Sequence, residues 1–159
     1  MSQVAAGPTA RAVLSRPSDS SRMDRDWVPV LADVSLFENL SRRHLKRVAS
    51  LARTRRFPSG TAIVRTGEPG TAFYVILDGS ARVVPPKGRT LRLRAGEFFG
   101  EMALLDESPR SADVVADGDV LAMTINRNAF AKLLKSEPTI AQALLRTLAG
   151  RIRAAEKSV

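Results

Sequence analysis

The residues best suited to chemistry lie in one stretch, residues 99–112, which reads FGEMALLDESPRSA. Gly100 permits close backbone approach and unusual dihedral angles. The apolar run after it predicts a short helical turn over residues 100–105, whose first N–H groups lack intrahelical partners and attract a phosphate. Arg110 carries a planar fork of donors that matches two phosphate oxygens, and Ser111 adds a hydroxyl. The stretch therefore predicts a small anion site.

Glu101 stands out in such a site, because a carboxylate repels a phosphate. Its presence is explained if it accepts a hydrogen bond from a neutral hydroxyl, such as the 2′-OH of a ribose. An acceptor for a sugar hydroxyl beside a cation for a phosphate indicates a nucleotide ligand. The alternative is an ordinary surface ion pair between Glu101 and Arg110 that binds nothing.

As a whole, the stretch resembles the phosphate-binding cassette of cyclic-nucleotide-binding domains, the family of bacterial catabolite-activator proteins and protein kinase A regulatory subunits. It carries every fixed position of the family pattern, namely Phe99, Gly100, Glu101, Ala103, Arg110, Ser111 and Ala112. The resemblance extends from about Leu36 to about Arg153. It implies a β-roll capped by helices, with Glu101 on the ribose 2′-OH and Arg110 on the cyclic phosphate.

The same resemblance supplies the expected ligand contacts. In the cassette these are Gly100, Glu101, Met102, Ala103, Arg110, Ser111 and Ala112. The candidate base contacts are Val83, Leu93, Arg151 and Ile152. Arg151 is expected either to stack over the base or to pair with Glu101.

The choice of base also follows from the resemblance. Within the family, serine after the cassette arginine accompanies cAMP and threonine accompanies cGMP, so Ser111 predicts cAMP. Catabolite-activator proteins cap adenine with hydroxyl residues on the C-terminal helix, where this chain has Ala154, Ala155 and Glu156. Without that polar cap, we expect only modest selectivity for cAMP over cGMP.

Length and composition describe one globular domain. The chain has 159 residues, of which 44% are hydrophobic and 26% charged, as is usual for a protein with its own core. It has no cysteine, and its single histidine, His44, cannot build the multi-histidine metal site of a cupin-type enzyme. No apolar run is long enough to span a membrane, and no secretory signal is visible. The expected location is the cytoplasm, with a transit peptide in the Ser- and Arg-rich N-terminus as the alternative.

The formal net charge of +9 raises the question of a polyanionic partner. Much of the excess comes from Arg42, Arg43, Lys46, Arg47, Arg53, Arg55 and Arg56. These residues fall in a segment with helical periodicity, so the first interpretation is a solvated helix face. The second is weak, salt-dependent binding to a polyanion.

The pattern along the chain predicts a flexible tail over residues 1–26 and one domain over residues 27–159. Residues 33–53 have helical periodicity, with Ser41 as a candidate N-cap. Between residues 57 and 126, glycines separate short runs rich in Val, Ile and Thr. Such runs predict an antiparallel sandwich or barrel. The family resemblance implies, within that class, a mainly β domain: an antiparallel β-roll of jelly-roll type flanked by helices.

Two local signals refine this prediction. Asp78-Gly79 predicts a hairpin turn between two strands, and Pro138 opens the last of the helices expected over residues 127–157. That helix carries an apolar stripe, made up of Ile140, Leu144, Leu145, Leu148 and Ile152. The stripe packs either on the β-roll or on a second copy of the chain. Because the resembling bacterial proteins pair through this helix, a homodimer is expected.

These signals predict a non-enzymatic cyclic-nucleotide sensor that needs no cofactor. Its ligand is cAMP, with cGMP as the second choice, and its C-terminal helix relays binding to an effector protein that the sequence does not identify. The alternative is a structural or interaction protein with the same fold and a vacant cassette. Because the sequence ends at Val159 without a DNA-reading domain, we expect a stand-alone module that binds neither specific DNA nor membranes.

Overall fold

The computed structural model describes residues 27–157, so the predicted flexible tail over residues 1–26 lies outside the described residues. The helical elements before the sheet are α1 (Val28–Ala32), a 3₁₀ turn (Ser35–Phe37) and α2 (Arg42–Leu51). The strands are β1 (Arg53–Phe57), β2 (Ala62–Val64), β3 (Ala72–Val84), β4 (Leu91–Arg94), β5 (Phe98–Phe99) and β6 (Asp113–Asn126). A short helix, α3 (Glu101–Asp106), lies between β5 and β6, and α4 (Arg127–Ser136) and α5 (Pro138–Lys157) follow β6.

The six strands form one antiparallel sheet around its two longest members. Strands β3 and β6 pair from Ala72 opposite Asn126 to Val84 opposite Asp113. Strands β1 and β2 pair with β6, while β4 and β5 pair with β3. This architecture, with helices before and after the sheet, confirms the predicted antiparallel β-roll with flanking helices.

Side-chain alternation along the strands divides the core into two clusters. The helices cover one of them, in which Phe73 and Met123 of the sheet pack with Phe130 and Ile140 of α4 and α5. The other cluster is formed by β-roll side chains that include Tyr74, Ile76, Phe99, Val114 and Ala122. Phe98 belongs to the first cluster and Phe99 to the second. The start of the 99–112 stretch is therefore anchored in the core on both sides.

The helices begin where their capping residues predict. The Ser41 hydroxyl accepts a hydrogen bond from the His44 N–H at 3.2 Å, which confirms Ser41 as the N-cap of α2. The Asn126 side chain caps α4 in the same way, through the Ala129 N–H at 2.9 Å. No helix between residues 27 and 157 is both long and apolar enough to cross a membrane.

The helical segment predicted over residues 33–53 was too long. Helix α2 ends at Leu51, and the chain continues as β1, where Thr54 and Phe57 are buried and the three arginines are exposed. The β-structure therefore begins at Arg53 instead of residue 57. The three arginines of β1 continue the basic pattern of α2, so nothing in the sequence marks clearly where the helix ends and a strand begins.

The hairpin turn predicted at Asp78-Gly79 was wrong. Strand β3 runs through these residues, and its register with β6 shifts on both sides of Asp78. Such shifts mark a β-bulge, which bends a strand without ending it. Asp78-Gly79 therefore bends β3 without ending it, and β3 stays paired with β6 on both sides of the bulge.

Helix α5 divides its predicted apolar stripe between two environments. Ile140 and Leu144 are buried in the domain's own core, and Leu148 packs against it. Leu145 and Ile152 are 65% and 61% exposed. The first half of the stripe therefore packs on the domain itself, and only these two large apolar side chains of α5 remain available to another surface.

Candidate nucleotide site

The predicted short helix of the cassette is present as α3, and Gly100 sets its start. Gly100 has a φ of +94° and precedes the first helical residue. A Cβ atom at this position would lie 3.0 Å from the Ala72 carbonyl oxygen and 3.0 Å from the Arg110 Nη1 atom. Glycine is therefore required both for its backbone conformation and for the close approach of Arg110.

Arg110 is only 6% exposed, although it is one of the most polar side chains in the protein. Its Nη1 donates to the Gly100 carbonyl at 2.9 Å, and its Nη2 donates to the Ala72 carbonyl at 2.8 Å. Burial lowers the pKa of the guanidinium, and nearby Tyr74 and Glu101 oppose this shift. Two of the five guanidinium donors are thus used to fix the group in place.

The loop before β3 holds the cassette from its other side. The Arg110 N–H donates to the Glu68 carbonyl, and the Gly67 N–H donates to the Arg110 carbonyl, both at 2.8 Å. A Cβ atom on Gly70 would lie 2.6 Å from the Cβ of Ala103 on α3. Since real Cβ atoms essentially never approach so closely, the loop and α3 fit together only with glycine at residue 70.

Arg127, the first residue of α4, joins these parts and was missed by the sequence analysis. Its Nε and Nη2 donate to the Gly70 carbonyl at 3.0 and 2.7 Å. Its Nη2 also reaches the Ala103 carbonyl of α3 at 3.4 Å. The loop, the cassette helix and the start of α4 are thereby tied together by one guanidinium.

Glu101 is a buried carboxylate with one engaged oxygen. The residue is 2% exposed, and its Oε2 lies 2.9 Å from Nη1 of Arg151. Its Oε1 is also buried and has no hydrogen-bond partner among the residues that the structure describes. Burial raises the pKa of Glu101, while hydrogen bonding to the backbone, Arg151 and Arg110 oppose the increase. A buried acceptor without a partner is unfavourable and fits a donor supplied by a ligand.

Arg151 extends from α5 onto the cassette. Besides its contact with Glu101, its Nη2 donates to the Phe98 carbonyl at 3.2 Å. Its guanidinium carbon lies 4.9 Å from the centroid of the Phe98 ring, a cation–π distance. Of the two roles predicted for Arg151, the structure therefore has the pairing with Glu101.

The remaining predicted contacts lie in different surroundings. Ala103 is buried, Ala112 is half-buried, Ser111 is exposed and Met102 is 55% exposed. Val83 and Leu93 belong to the β-roll cluster, whereas Ile152 is 61% exposed on α5. The structure thus brings Gly100, Glu101, Ala103 and Arg110 together, and contact of the full set with a nucleotide stays a prediction.

Within residues 27–157, no group of three or more His, Asp or Glu side chains is arranged to hold a metal ion. His44, the single histidine, lies on α2 and contacts Glu137 at 3.2 Å.

Residues 54–137 match the family described as the cyclic nucleotide-binding domain, and the chain belongs to that family. It is 32% identical over 126 residues to a cAMP-dependent protein kinase regulatory subunit of Hypocrea atroviridis, covering 79% of this chain and 27% of the relative. It is 37% identical over 123 residues to a cyclic nucleotide-gated potassium channel of Mesorhizobium japonicum, covering 77% and 34%. The chain thus spans about a third or less of these curated relatives.

Solved structures show the same likeness. The catabolite activator protein of Thermus thermophilus is 35% identical, with a TM-score of 0.72 over 78% of this chain and 61% of that chain. The regulatory domain of Toxoplasma gondii PKA, solved with cAMP, is 30% identical, with a TM-score of 0.71 over 82% and 50%. The resemblance inferred from the cassette residues is therefore confirmed.

Proposed function

We propose that this chain is a non-enzymatic sensor module that binds cAMP in its cassette and reports binding through α5. The observation that carries the proposal is the unpartnered, buried Oε1 of Glu101, which lies in the same cassette as the immobilised cation of Arg110. A cyclic nucleotide supplies what both groups require, a hydroxyl donor and an anion. Family membership and the cAMP-binding relatives support the same ligand.

In this proposal the two ends of the ligand have separate partners. The remaining donors of Arg110 hold the cyclic phosphate, and the ribose 2′-OH donates to Oε1 of Glu101. Leaving a buried acceptor unpaired costs about 1–3 kcal/mol, which the ligand relieves on binding. Because Arg110 and Arg151 both lie close to Glu101, they offset its charge and limit its repulsion of the phosphate.

The relay follows from the two oxygens of Glu101. Arg151 of α5 holds Oε2, so α5 docks on the same carboxylate that the ligand uses through Oε1. A ligand that satisfies Oε1 stabilises the ionised carboxylate and, through it, the docked position of α5. By reciprocity, docking of α5 must strengthen nucleotide binding by the same factor.

The base preference and the assembly are further parts of the proposal. Ser111 and the cAMP-dependent relatives favour cAMP over cGMP, with modest selectivity, because Ala154, Ala155 and Glu156 near the end of α5 carry no hydroxyl. Leu145 and Ile152 provide an exposed apolar surface for a homodimer or an effector protein. We place this module in the cytoplasm, where the effector that reads the position of α5 has still to be identified.

Calorimetric titration with cAMP, cGMP, 5′-AMP and 2′-deoxy-cAMP tests the proposal. We expect cAMP to bind more tightly than cGMP, and 5′-AMP to bind weakly. The wild type should discriminate against 2′-deoxy-cAMP by about 5- to 150-fold, the value of one buried hydrogen-bond partner. Glu101→Gln should reduce this discrimination. If the folded protein binds none of these nucleotides, the proposal fails and the structural role with a vacant cassette is favoured.

The relay needs a separate measurement. Hydrogen exchange of α5 should slow when cAMP is added to the wild type, because docking protects the helix. Arg151→Ala should bind cAMP without this change in α5. Equal protection of α5 in both proteins would reject the Glu101–Arg151 route and leave nucleotide binding itself unaffected.

A further inference from the structure

A second charged surface lies outside the cassette, on α2 and β1. Residues 42–56 contain seven arginines and lysines and no aspartate or glutamate. All seven are exposed, while Leu45 and Val48 of α2 are buried on the opposite side. We call this surface the basic face; its members are Arg42, Arg43, Lys46, Arg47, Arg53, Arg55 and Arg56.

A groove runs along the α2 part of the basic face, beside the junction of α4 and α5. Arg43, Lys46 and Arg47 line it, together with His44, Ser50, Ser136 and Glu137. Glu137 is the one carboxylate in this lining and is already engaged, since it lies 3.2 Å from Nε2 of His44 and 3.8 Å from Nε of Arg47. The groove therefore keeps an excess of positive charge.

The cations of the basic face lower the stability of helix α2. Arg42 and Arg43 occupy the first turn of α2, which contains no acidic residue, although the positive end of the helix dipole lies there. Arg43 and Arg47 are also four residues apart, a spacing at which like charges repel. Such features are unfavourable in the free protein and become favourable when a polyanion neutralises them.

We propose that the basic face binds the phosphodiester backbone of nucleic acid without reading its sequence. Six of its seven cations are arginine, whose planar fork pairs with phosphate oxygens in a bidentate manner. The large exposed apolar residues are Leu91, Met102, Leu105, Leu145 and Ile152, and none lies on the basic face. The face thus lacks the apolar anchor that holds a helix in a membrane surface.

The exposed arginines of β1 extend the basic face beyond the groove. Arg53 and Arg55 alternate with buried Thr54 on this strand, and the Arg55 guanidinium carbon lies 4.9 Å from the Phe57 ring centroid. Strand β1 pairs only with β6 among the described strands. Its cations therefore stand at an open sheet edge that follows α2 directly in the chain. Arg56, opposite Leu121, lies on the sheet face that the helices cover, whereas Arg53 and Arg55, opposite Thr124 and Ala122, lie on the other face.

Fluorescence anisotropy with a short labelled duplex DNA of mixed sequence tests the proposal. For about four phosphate contacts, affinity should fall about 150-fold between roughly 50 and 200 mM salt. The triple variant Arg43→Gln, Lys46→Gln, Arg47→Gln, all three from the groove lining, should bind far more weakly and lower the salt slope by about 2.7. A matched triple, Arg82→Gln, Lys87→Gln, Arg89→Gln, removes the same charge from β3 and the segment after it, and should retain the binding.

Three outcomes would overturn the proposal. One is equal loss of DNA binding in both triple variants, which would mean a general charge effect. Another is preferential binding to vesicles of phosphatidylserine and phosphatidylcholine, which would assign the face to membranes. The third is equal competition by polyglutamate at matched charge, because the proposal requires phosphate. Unchanged cAMP titration and thermal unfolding of the first triple variant would establish that it is folded and that its cassette is intact.

Discussion

Two regions of this molecule use arginine in opposite ways. In the cassette, Arg110 is 6% exposed and donates to two main-chain carbonyls at 2.8 and 2.9 Å. On the basic face, Arg43 and Arg53 are exposed on regular elements, within a segment, residues 42–56, that contains no aspartate or glutamate. The Arg110 guanidinium is oriented before any ligand arrives, whereas exposed side chains such as Arg43 and Arg53 lose rotamer freedom when they bind.

This difference predicts two kinds of binding. A buried, oriented cation acts in a low-dielectric environment, where its interaction with an anion is strong and little screened. An exposed cation is screened by salt, and the affinity of such a surface depends on how many cations take part more than on the position of each one. We therefore expect binding at the cassette to depend on single atoms and binding at the basic face to depend on total charge.

The largest effect should come from Arg110→Ala. Loss of a charge-assisted contact costs roughly 1.5–3 kcal/mol, or about 10- to 150-fold in nucleotide affinity. The change also leaves the Ala72 and Gly100 carbonyls without this donor, so the free energy of unfolding should fall. Calorimetry and urea unfolding measure the two effects. Arg110→Lys is the matched control, because it keeps the charge without the fork, and an unchanged affinity in Arg110→Ala would remove Arg110 from the site.

Gly70→Ala tests whether the cassette is held as tightly as its geometry indicates. The new Cβ would stand 2.6 Å from the Cβ of Ala103, and overpacking of this kind costs about 1–3 kcal/mol. Urea unfolding should show this loss, and Ala103→Gly in the same chain should restore part of it. Gly150→Ala on α5, where nothing lies within 4 Å, should be neutral or stabilising. Equal behaviour of the two alanine variants would contradict the close fit.

Arg151→Ala tests the intermediate case, an arginine whose side chain is 43% exposed but whose partner is buried. We expect cAMP affinity to fall about three- to tenfold, the value of an ordinary hydrogen bond. Arg153→Ala, two residues further along the exposed end of α5, should have little effect. Tighter binding by Arg151→Ala would show instead that Arg151 competes with the ligand for Glu101.

The smallest predicted effect is a dependence on pH. Burial raises the pKa of Glu101 above its ordinary value of 4.5. Its contribution to the free energy of unfolding is therefore fully present below pH 4.5 and is lost as the pH rises through the folded-state pKa. Nucleotide affinity should change in the opposite direction over the same window, because the ribose hydroxyl donates to the ionised carboxylate. Glu101→Gln should flatten both profiles in unfolding and titration experiments, and profiles unchanged by this substitution would assign the effect elsewhere.

The cassette could be predicted because its signals are contiguous. Gly100, Glu101 and Arg110 stand within eleven residues of one another, and the apolar run after Gly100 predicted a short helix beside a cation. The partners that immobilise this cation could not be found in the same way. The Ala72 carbonyl lies 38 positions from Arg110, and Gly70 lies 57 positions from Arg127. Main-chain acceptors have no residue signature, so only the fold brings them to these arginines.

The boundary between α2 and β1 was hidden for a different reason. Exposed arginines have no preference strong enough to separate a helix from a strand. The two buried residues of β1, Thr54 and Phe57, are too few to indicate a strand by themselves. Asp78-Gly79 was misleading because the same dipeptide that closes a hairpin also fits a bulge. In both places the pairing with β6 determined the conformation, and β6 is distant in sequence.

The β3–β6 ladder also determines at which stage of folding the cassette forms. Residues 85–112, which include the whole cassette, form the loop that this ladder closes at Val84 and Asp113. Closing such a loop costs chain entropy, and non-local pairing slows folding. The Ala72 carbonyl that orients Arg110 lies at the opposite end of the ladder, beside Asn126. When β3 and β6 pair first at Val84 and Asp113, beside the loop of residues 85–112, and then along the ladder toward Ala72, the contact between Arg110 and the Ala72 carbonyl forms last. We therefore expect a newly made chain to acquire nucleotide affinity only in its final folding step.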